Sequence, residues 1–348
     1  MTESKFDLSR LLSTPRLPQI ATMPSRFERH EGLSDELGIE LWLKREDLID
    51  ERGCGHKLRK AAFVAARARS LGSTVLMTAA SLPSSQAATI AYVARLARLR
   101  SHIVYCGDHQ RRPSSLTGNY LLVALFGADV TWHEEGPWRY WSEYLEEAAA
   151  AERTKGERPF TISPGFAEWP GLLGSVELGL ELAADLSKDM RPVHVIGAAG
   201  TGGMMFGIAC GLLAGQVTAQ VHGACIGPPV SDVSSSIDRL RESARTFLPE
   251  QILRHSDVIL HGFEAGYGMA TPAVLDAARA SASMHGLLLD TTYMAKVVAC
   301  LRRIVDDGAI RRDERVVVIH SGGIASLLGG SDVTDEWVKR SRPEFLIG

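Results

Sequence analysis

No stretch of this 348-residue sequence stays apolar for the ~20 residues that a membrane-spanning helix needs. An excess of charge is missing too. Lys and Arg number 38 against 41 Asp and Glu, a formal balance of −3, which excludes the basic footprint of a nucleic-acid binder or of a protein drawn to anionic membranes. Cysteine is sparse: Cys54, Cys106, Cys210, Cys225 and Cys300 include no close pair. An odd, scattered set excludes a disulfide framework and is expected of reduced thiols in the cytoplasm. The eleven histidines contain no HExxH and no Cys/His cluster, so no metal site is expected. The polar start, Met1 to Asp7, lacks the apolar core of a signal peptide. Internal repeats, low-complexity tracts and long linkers are absent as well.

What remains is a 45% hydrophobic chain with 33 glycines, long enough for two lobes and a buried core. Apolar runs of strand length alternate with longer helical patterns. Strands are predicted at Ile39–Leu43, Thr74–Thr78, Ile103–Cys106, Asp129–Trp132, Pro192–Ile196, Thr218–Cys225, Val258–Leu260 and Arg315–Ile319. Helices are predicted at Lys57–Leu71, Ser84–Leu99, Gly118–Phe126, Trp138–Arg153, Gly171–Ser187, Gly202–Leu213, Thr271–Met284 and Tyr293–Asp306. Such βα alternation predicts an α/β fold of parallel-rich sheets covered by helices. Ligands in such sheets sit beyond the carboxyl ends of strands, here the loops after Leu43, Thr78, Ile196 and Ile319.

One of these loops suits a phosphate. From His194 an apolar strand runs into Gly200-Thr201-Gly202-Gly203 and then a helix. Glycines let backbone N–H groups converge, and the helix start adds partial positive charge. Met205 breaks a dinucleotide fingerprint, and the Gly-Lys-Ser/Thr ending of a P-loop is missing, so a cup for a single phosphate fits better. A plain packing turn is the alternative. A second loop, from Gly53 to Lys60, offers Lys57 at a helix start as an amine for an aldehyde cofactor. Arg59 and Lys60 beside it are expected to lower its pKa, unless the cluster is only a solvated basic face. A third, Ser84-Ser85-Gln86, reads as a nest for a carboxylate or as an ordinary serine cap.

Taken in order, these pieces resemble the family of 1-aminocyclopropane-1-carboxylate deaminase and D-cysteine desulfhydrase. The likeness spans Leu43 to Leu48, Gly55 to Lys60, Ser84 to Gln86, Gly118-Asn119, Pro164-Gly165 and Gly171 to Gly174. It continues through Gly200 to Gly203, Gly266 to Gly268, Asp290 to Tyr293 and His320 to Gly323. The resemblance implies a two-lobed pyridoxal 5′-phosphate (PLP) enzyme of fold type II (tryptophan synthase β-like). Residues 1–58 and 160–348 would form the large domain and 59–159 the small one. It implies that Lys57 carries the cofactor and moves the α-proton, and that Lys60 with Gly200, Thr201, Gly202, Gly203 and Met204 holds the phosphate. Ser84, with the N–H groups of Ser85 and Gln86, would bind the substrate carboxylate, and Ser84 would share in proton transfer. Tyr267 and Tyr293 would face the substrate as acid–base or stacking groups, unless they only pack. Ser321 would meet the pyridine nitrogen. A small amino-acid substrate and a homodimer follow by the same analogy.

Departures from the family cluster in the same places. His56 replaces an asparagine, as a new acid–base group or a bulkier wall of the substrate site. Ser85 replaces a cofactor-touching asparagine, Ala88 an arginine, and Met294 an acid of ring-opening deaminases. Trp169 either narrows the pocket or caps a nearby helix. Met294 argues against cyclopropane ring opening, and the set implies a diverged member. The expected reaction is α-proton abstraction with β-elimination. β-Replacement on an unusual amino acid, a PLP-binding protein without catalysis, and a nucleotide enzyme built on the Gly200 loop are the alternatives.

Overall fold

Runs such as Arg315-Val-Val-Val-Ile-His and Val75-Leu-Met-Thr-Ala-Ala are buried along their whole length, as strands covered on both faces must be. The computed structural model describes residues 13–329 except 19, 107–112, 114, 134–139, 188–190 and 263–265, together with Lys339. In chain order, β1 (Arg26–Arg29), α1 (Glu31–Leu37) and β2 (Glu40–Arg45) lead through a 3₁₀ turn at Glu46–Leu48 to α2 (Lys57–Ser70). Next come β3 (Val75–Ala80), α3 (Ser85–Ala97), β4 (Arg100–Cys106), α4 (Gly118–Leu125), β5 (Asp129–His133), α5 (Trp141–Thr154) and β6 (Pro159–Ile162). Then follow α6 (Leu172–Leu186), β7 (Val193–Ala199), α7 (Gly203–Ala214), β8 (Gln220–Cys225), α8 (Val230–Ala244), α9 (Glu250–His255) and β9 (Ile259–His261). The last elements are α10 (Pro272–His285), α11 (Met294–Asp306), β10 (Arg315–His320) and α12 (Ile324–Leu328).

Each predicted strand and helix is present, with ends shifted by a few residues; Trp138, the predicted start of one helix, lies outside the described residues. The strands form two sheets. One has the order β1-β2-β10-β7-β8-β9, parallel except for the antiparallel β1–β2 pair at its edge. The other, β5-β4-β3-β6, is wholly parallel, and its strands all lie within residues 75–162. Helices cover them as the periodicity demands. α11 turns Val297, Val298, Leu301, Ile304 and Val305 into the core beside Val316 and Val318 of β10. α7 is apolar all round and buried from Gly203 to Leu212, with Met205, Ile208 and Leu212 against one cluster and Phe206 and Cys210 against another. Each such side chain contributes roughly 1.5–3 kcal/mol of burial. The parallel strands end toward one cleft between the sheets, and the site is built there.

Candidate active site

Lys57 opens α2, just past a loop that its own sequence folds tightly. Asp50 accepts hydrogen bonds from the N–H groups of Arg52 (2.8 Å) and Gly55 (3.1 Å). Gly55 adopts φ +60°, and a Cβ there would stand 2.2 Å from the Ser321 carbonyl, so this turn requires glycine. The close approach joins the loop to the end of β10. His56 donates its backbone N–H to the Ser321 carbonyl (3.1 Å), and its ring Nδ1 faces the same oxygen at 3.3 Å.

Twelve of the predicted residues line one cavity of about 580 Å³: His56, Lys57, Lys60, Ser84, Gln86, Gly200, Thr201, Gly202, Met204, Tyr267, Tyr293 and Ser321. Its wall comes from the carboxyl ends of both sheets, Ala79-Ala80 of β3, Ala198 of β7, and the loops after β8 and β10. Ser85 lines a small adjoining recess with His56, Lys57, Asn119, Tyr293 and Ser321. Gly203 is not among the lining residues, and a Cβ there would press on Ala167. Trp169 does not line the cavity. It is 43% exposed and rests on Phe247, with ring centroids 4.8 Å apart, so the expectation that it narrows the pocket is not met.

Electrostatics single out two lysines. Lys57 is buried, makes no hydrogen bond with a described residue, and holds its Nζ 5.0 Å from the centre of the Tyr293 ring. Burial pushes its pKa down to about 8, while the Asp290 carboxylate pulls the other way. The lowering was expected from Arg59 and Lys60, but desolvation is its cause. Arg59 is instead neutralised, bound to Glu46 at 2.7 and 2.8 Å and to Glu181 at 2.8 Å. Lys60 is buried as well, not part of a solvated face. It donates to the Gly165 carbonyl (2.9 Å), and burial and then Lys57 bring its pKa down to about 7. Burial, Lys57 and Lys60 hold the His56 imidazole well below its usual range, so it is neutral.

Hydroxyls gather opposite. Tyr267 and Tyr293 share a hydrogen bond through their phenolic oxygens, and Ser84 lies within reach of both. Burial raises both phenols, and Tyr293 is raised further by the neighbouring Tyr267. Ser84 caps α3, accepting from the Gln86 N–H at 3.3 Å. The Gln86 side chain is spent on scaffold: it donates to Thr78 (2.8 Å) and the Ser163 carbonyl (3.0 Å) and accepts from the Gly165 N–H (2.5 Å). Ser321 turns its N–H and hydroxyl to the Met294 sulfur, both at 3.4 Å.

The glycine loop meets the demands of a phosphate. Gly202 sits at φ +76° before α7, and this twelve-residue helix has no side-chain cap, so its first N–H groups are left for a ligand. A buried amine of lowered basicity, a second buried lysine and an uncapped helix start on one cavity fit an aldehyde that carries a phosphate.

Residues 20–322 match the model of the pyridoxal-phosphate dependent enzyme family. The chain belongs to that family. Pyridoxal phosphate is therefore its cofactor, and the fold is the type II fold of that family's α/β enzymes. The D-cysteine desulfhydrase of Klebsiella pneumoniae (strain 342) is 30% identical over 330 residues, 92% of this chain and 98% of that one. The crystal structure of an ACC deaminase homologue superposes with a TM-score of 0.83 at 25% identity, covering 97% of this chain and 99% of the other. Maize serine racemase shares the fold, with a TM-score of 0.66 at 16% identity over 98% and 99% of the two chains.

Several lining residues have no sequence reading behind them: Trp141, Pro228, Pro229, Asp232 and Met269. The double proline after strand β8 marked a loop, but nothing local placed it on this cavity. Asp290 was visible as part of a motif without a role. Its carboxylate takes the N–H groups of Thr292, Tyr293 and Met294 at 3.0 Å each, and an aspartate just before a helix signals such a cap.

Proposed function

We propose that this protein catalyses β-elimination from a small amino acid, the reaction class named by its desulfhydrase relatives, releasing a keto acid and ammonia. The observation that carries this reading is the free, buried Lys57 amine facing the Ser84, Tyr267 and Tyr293 hydroxyls across one cavity. Lys57 would hold the cofactor covalently. Lys60 and the N–H groups at Gly200 to Met204 would hold its phosphate, and the helix start would favour the dianion. Bound pyridoxal phosphate supplies an electron sink, which makes the α-proton acidic and lets a β-substituent leave.

The chain's own groups do the rest. With its pKa at about 8, Lys57 exchanges a proton near neutral pH, as a base at the substrate Cα must. Ser84 and the N–H of Ser85 bind the substrate carboxylate at the start of α3. The hydrogen-bonded Tyr267 and Tyr293 phenols, both kept protonated by burial, offer a proton to the departing group. Ser321, beside the neutral Met294 sulfur, offers the cofactor ring a hydroxyl and no carboxylate. Ile226, Pro228, Pro229 and Met269 add apolar surface to the cavity wall.

Residues 59–159 are inferred to form the smaller lobe; the second sheet supports a lobe in this region, though its edge strand β6 (Pro159–Ile162) runs past 159. Five buried, unbridged cysteines support a reducing, cytoplasmic setting. A homodimer is inferred from the resemblance alone. No helix among the described residues is long and apolar enough to cross a membrane.

The reading is tested by incubating holoenzyme with D- and L-cysteine, D- and L-serine and β-chloroalanine, and measuring keto acid and ammonia. Equimolar release from at least one of them, lost in Lys57→Ala, is expected. Intact substrates throughout would refute it.

A further inference from the structure

Lys296 is a fully buried lysine that the chemistry above does not use. It lies in the first turn of α11, three residues after Tyr293, the residue that precedes the helix. Its Nζ donates to two backbone carbonyls, Ile226 at 2.6 Å and Gly266 at 2.8 Å. These belong to different loops, one following β8 and one leading to Tyr267. The loops lie directly on each other: a Cβ at Gly227 would stand 2.6 Å from the Tyr267 Cβ and 2.8 Å from its Cα and N. Lys296 thus ties both loops to the helix that follows Tyr293.

Burial is costly for an ammonium, and it brings this lysine's pKa down to about 8 against the pull of Asp290. A leucine or methionine would pack there without that cost. What an apolar side chain lacks is donors, and two of this ammonium's three are spent on the Tyr267 side of the cavity. We infer that Lys296 is a positioning residue: by holding the Ile226 and Gly266 carbonyls it sets Tyr267 against Tyr293 and Ser84, and so sets the protonation behaviour of the pair. Its kinetic consequence rests on the function proposed above; its structural consequence does not.

The test is tyrosine ¹³Cζ NMR of the holoenzyme across pH, with the Tyr267 signal assigned by its loss in Tyr267→Phe. In Lys296→Met the loop is released and Tyr267 meets water. Its ionisation is expected to fall by about one pH unit or more toward the ordinary phenol value. Lys296→Gln, a milder change that keeps the site polar, is expected to shift it in the same direction and serves if the methionine variant does not fold. Turnover of whichever amino acid the wild type accepts is expected to fall by about 10-fold or more in Lys296→Met, with no further loss when Tyr267→Phe is already present. A Tyr267 ionisation unmoved in both variants would overturn the inference, and so would a kinetic loss that multiplies with that of Tyr267→Phe. A wild type that turns over no amino acid would remove the proposed reaction while leaving the NMR comparison able to decide the role of Lys296.

Discussion

Burial sets the working state of the residues around Lys57. Its amine is protonated below pH 8 and free above, whereas an exposed lysine would stay protonated past pH 10. Covalent uptake of pyridoxal phosphate by apo-protein, followed by absorbance, should therefore accelerate with pH and level off just above pH 8. Because Asp290 contributes most to holding this pKa up, Asp290→Asn should move the plateau to lower pH. Ser84 has two duties. Its loss in Ser84→Ala should cost about 1 kcal/mol of stability through the missing helix cap. It should also lower turnover by about 100-fold or more if the hydroxyl transfers a proton or holds it in place. Residue types at this scale were legible in the sequence, since Lys57, Ser84 and the tyrosines do meet on one cavity. Their electrostatic surroundings were not. Arg59 and Lys60 look like a basic face when read linearly, and only the fold brings Glu46 and Glu181 to Arg59 or buries Lys60 against Gly165.

Among the elements, α2 carries the two site lysines, and it is locked by a buried ionic network. Arg59 of α2 binds Glu46, in the turn after β2, and Glu181 of α6; Lys44 of β2 binds Glu181 and Asp185 at 2.6 Å each. Arg59 and Glu46 are essentially unexposed, so removing one partner strands the other's charge. Arg59→Met should cost about 3–5 kcal/mol in urea unfolding, and Arg59→Met with Glu46→Met distinctly less. Elements missed in the sequence have physical reasons for being missed. β1 is a four-residue edge strand, Arg-Phe-Glu-Arg, too short and polar to show a period. α8 is serine-rich and buries only Val233, Ile237, Leu240 and Ala244, a single narrow stripe. β6 opens on Pro159 at the edge of its sheet, where a strand tolerates proline.

Across the whole molecule, the larger sheet carries a ladder of imidazoles that spans three strands. His194 Nδ1 lies 3.0 Å from His222 Nε2, and His222 Nδ1 lies 2.9 Å from His261 Nε2; Glu314 faces the far nitrogen of His194 at 3.2 Å. The Glu314 carboxylate only accepts, so His194 Nε2 is the donor of that contact. Burial, then His194 and His261, push His222 down to about 4. The unfolded chain therefore takes up this proton first. Its stability is complete above pH 6.5 and is lost as pH falls from there toward 4, by about 3 kcal/mol for His222 alone. Urea unfolding over that range should show the decline, and His222→Gln should flatten it. Nothing in the sequence announces the ladder, because its members are about 30 and 40 residues apart on strands whose pairing the sequence leaves open.

The central claim is that a cofactor sits on Lys57 and meets an amino acid there. It is tested most directly by the visible absorbance of wild type and Lys57→Ala, each loaded with pyridoxal phosphate and then titrated with D- and L-amino acids. A band present in the wild type, altered by at least one amino acid and missing from the variant, is the predicted result. A variant with the wild-type band and the same response, or a wild type that never takes up the cofactor, would contradict the account.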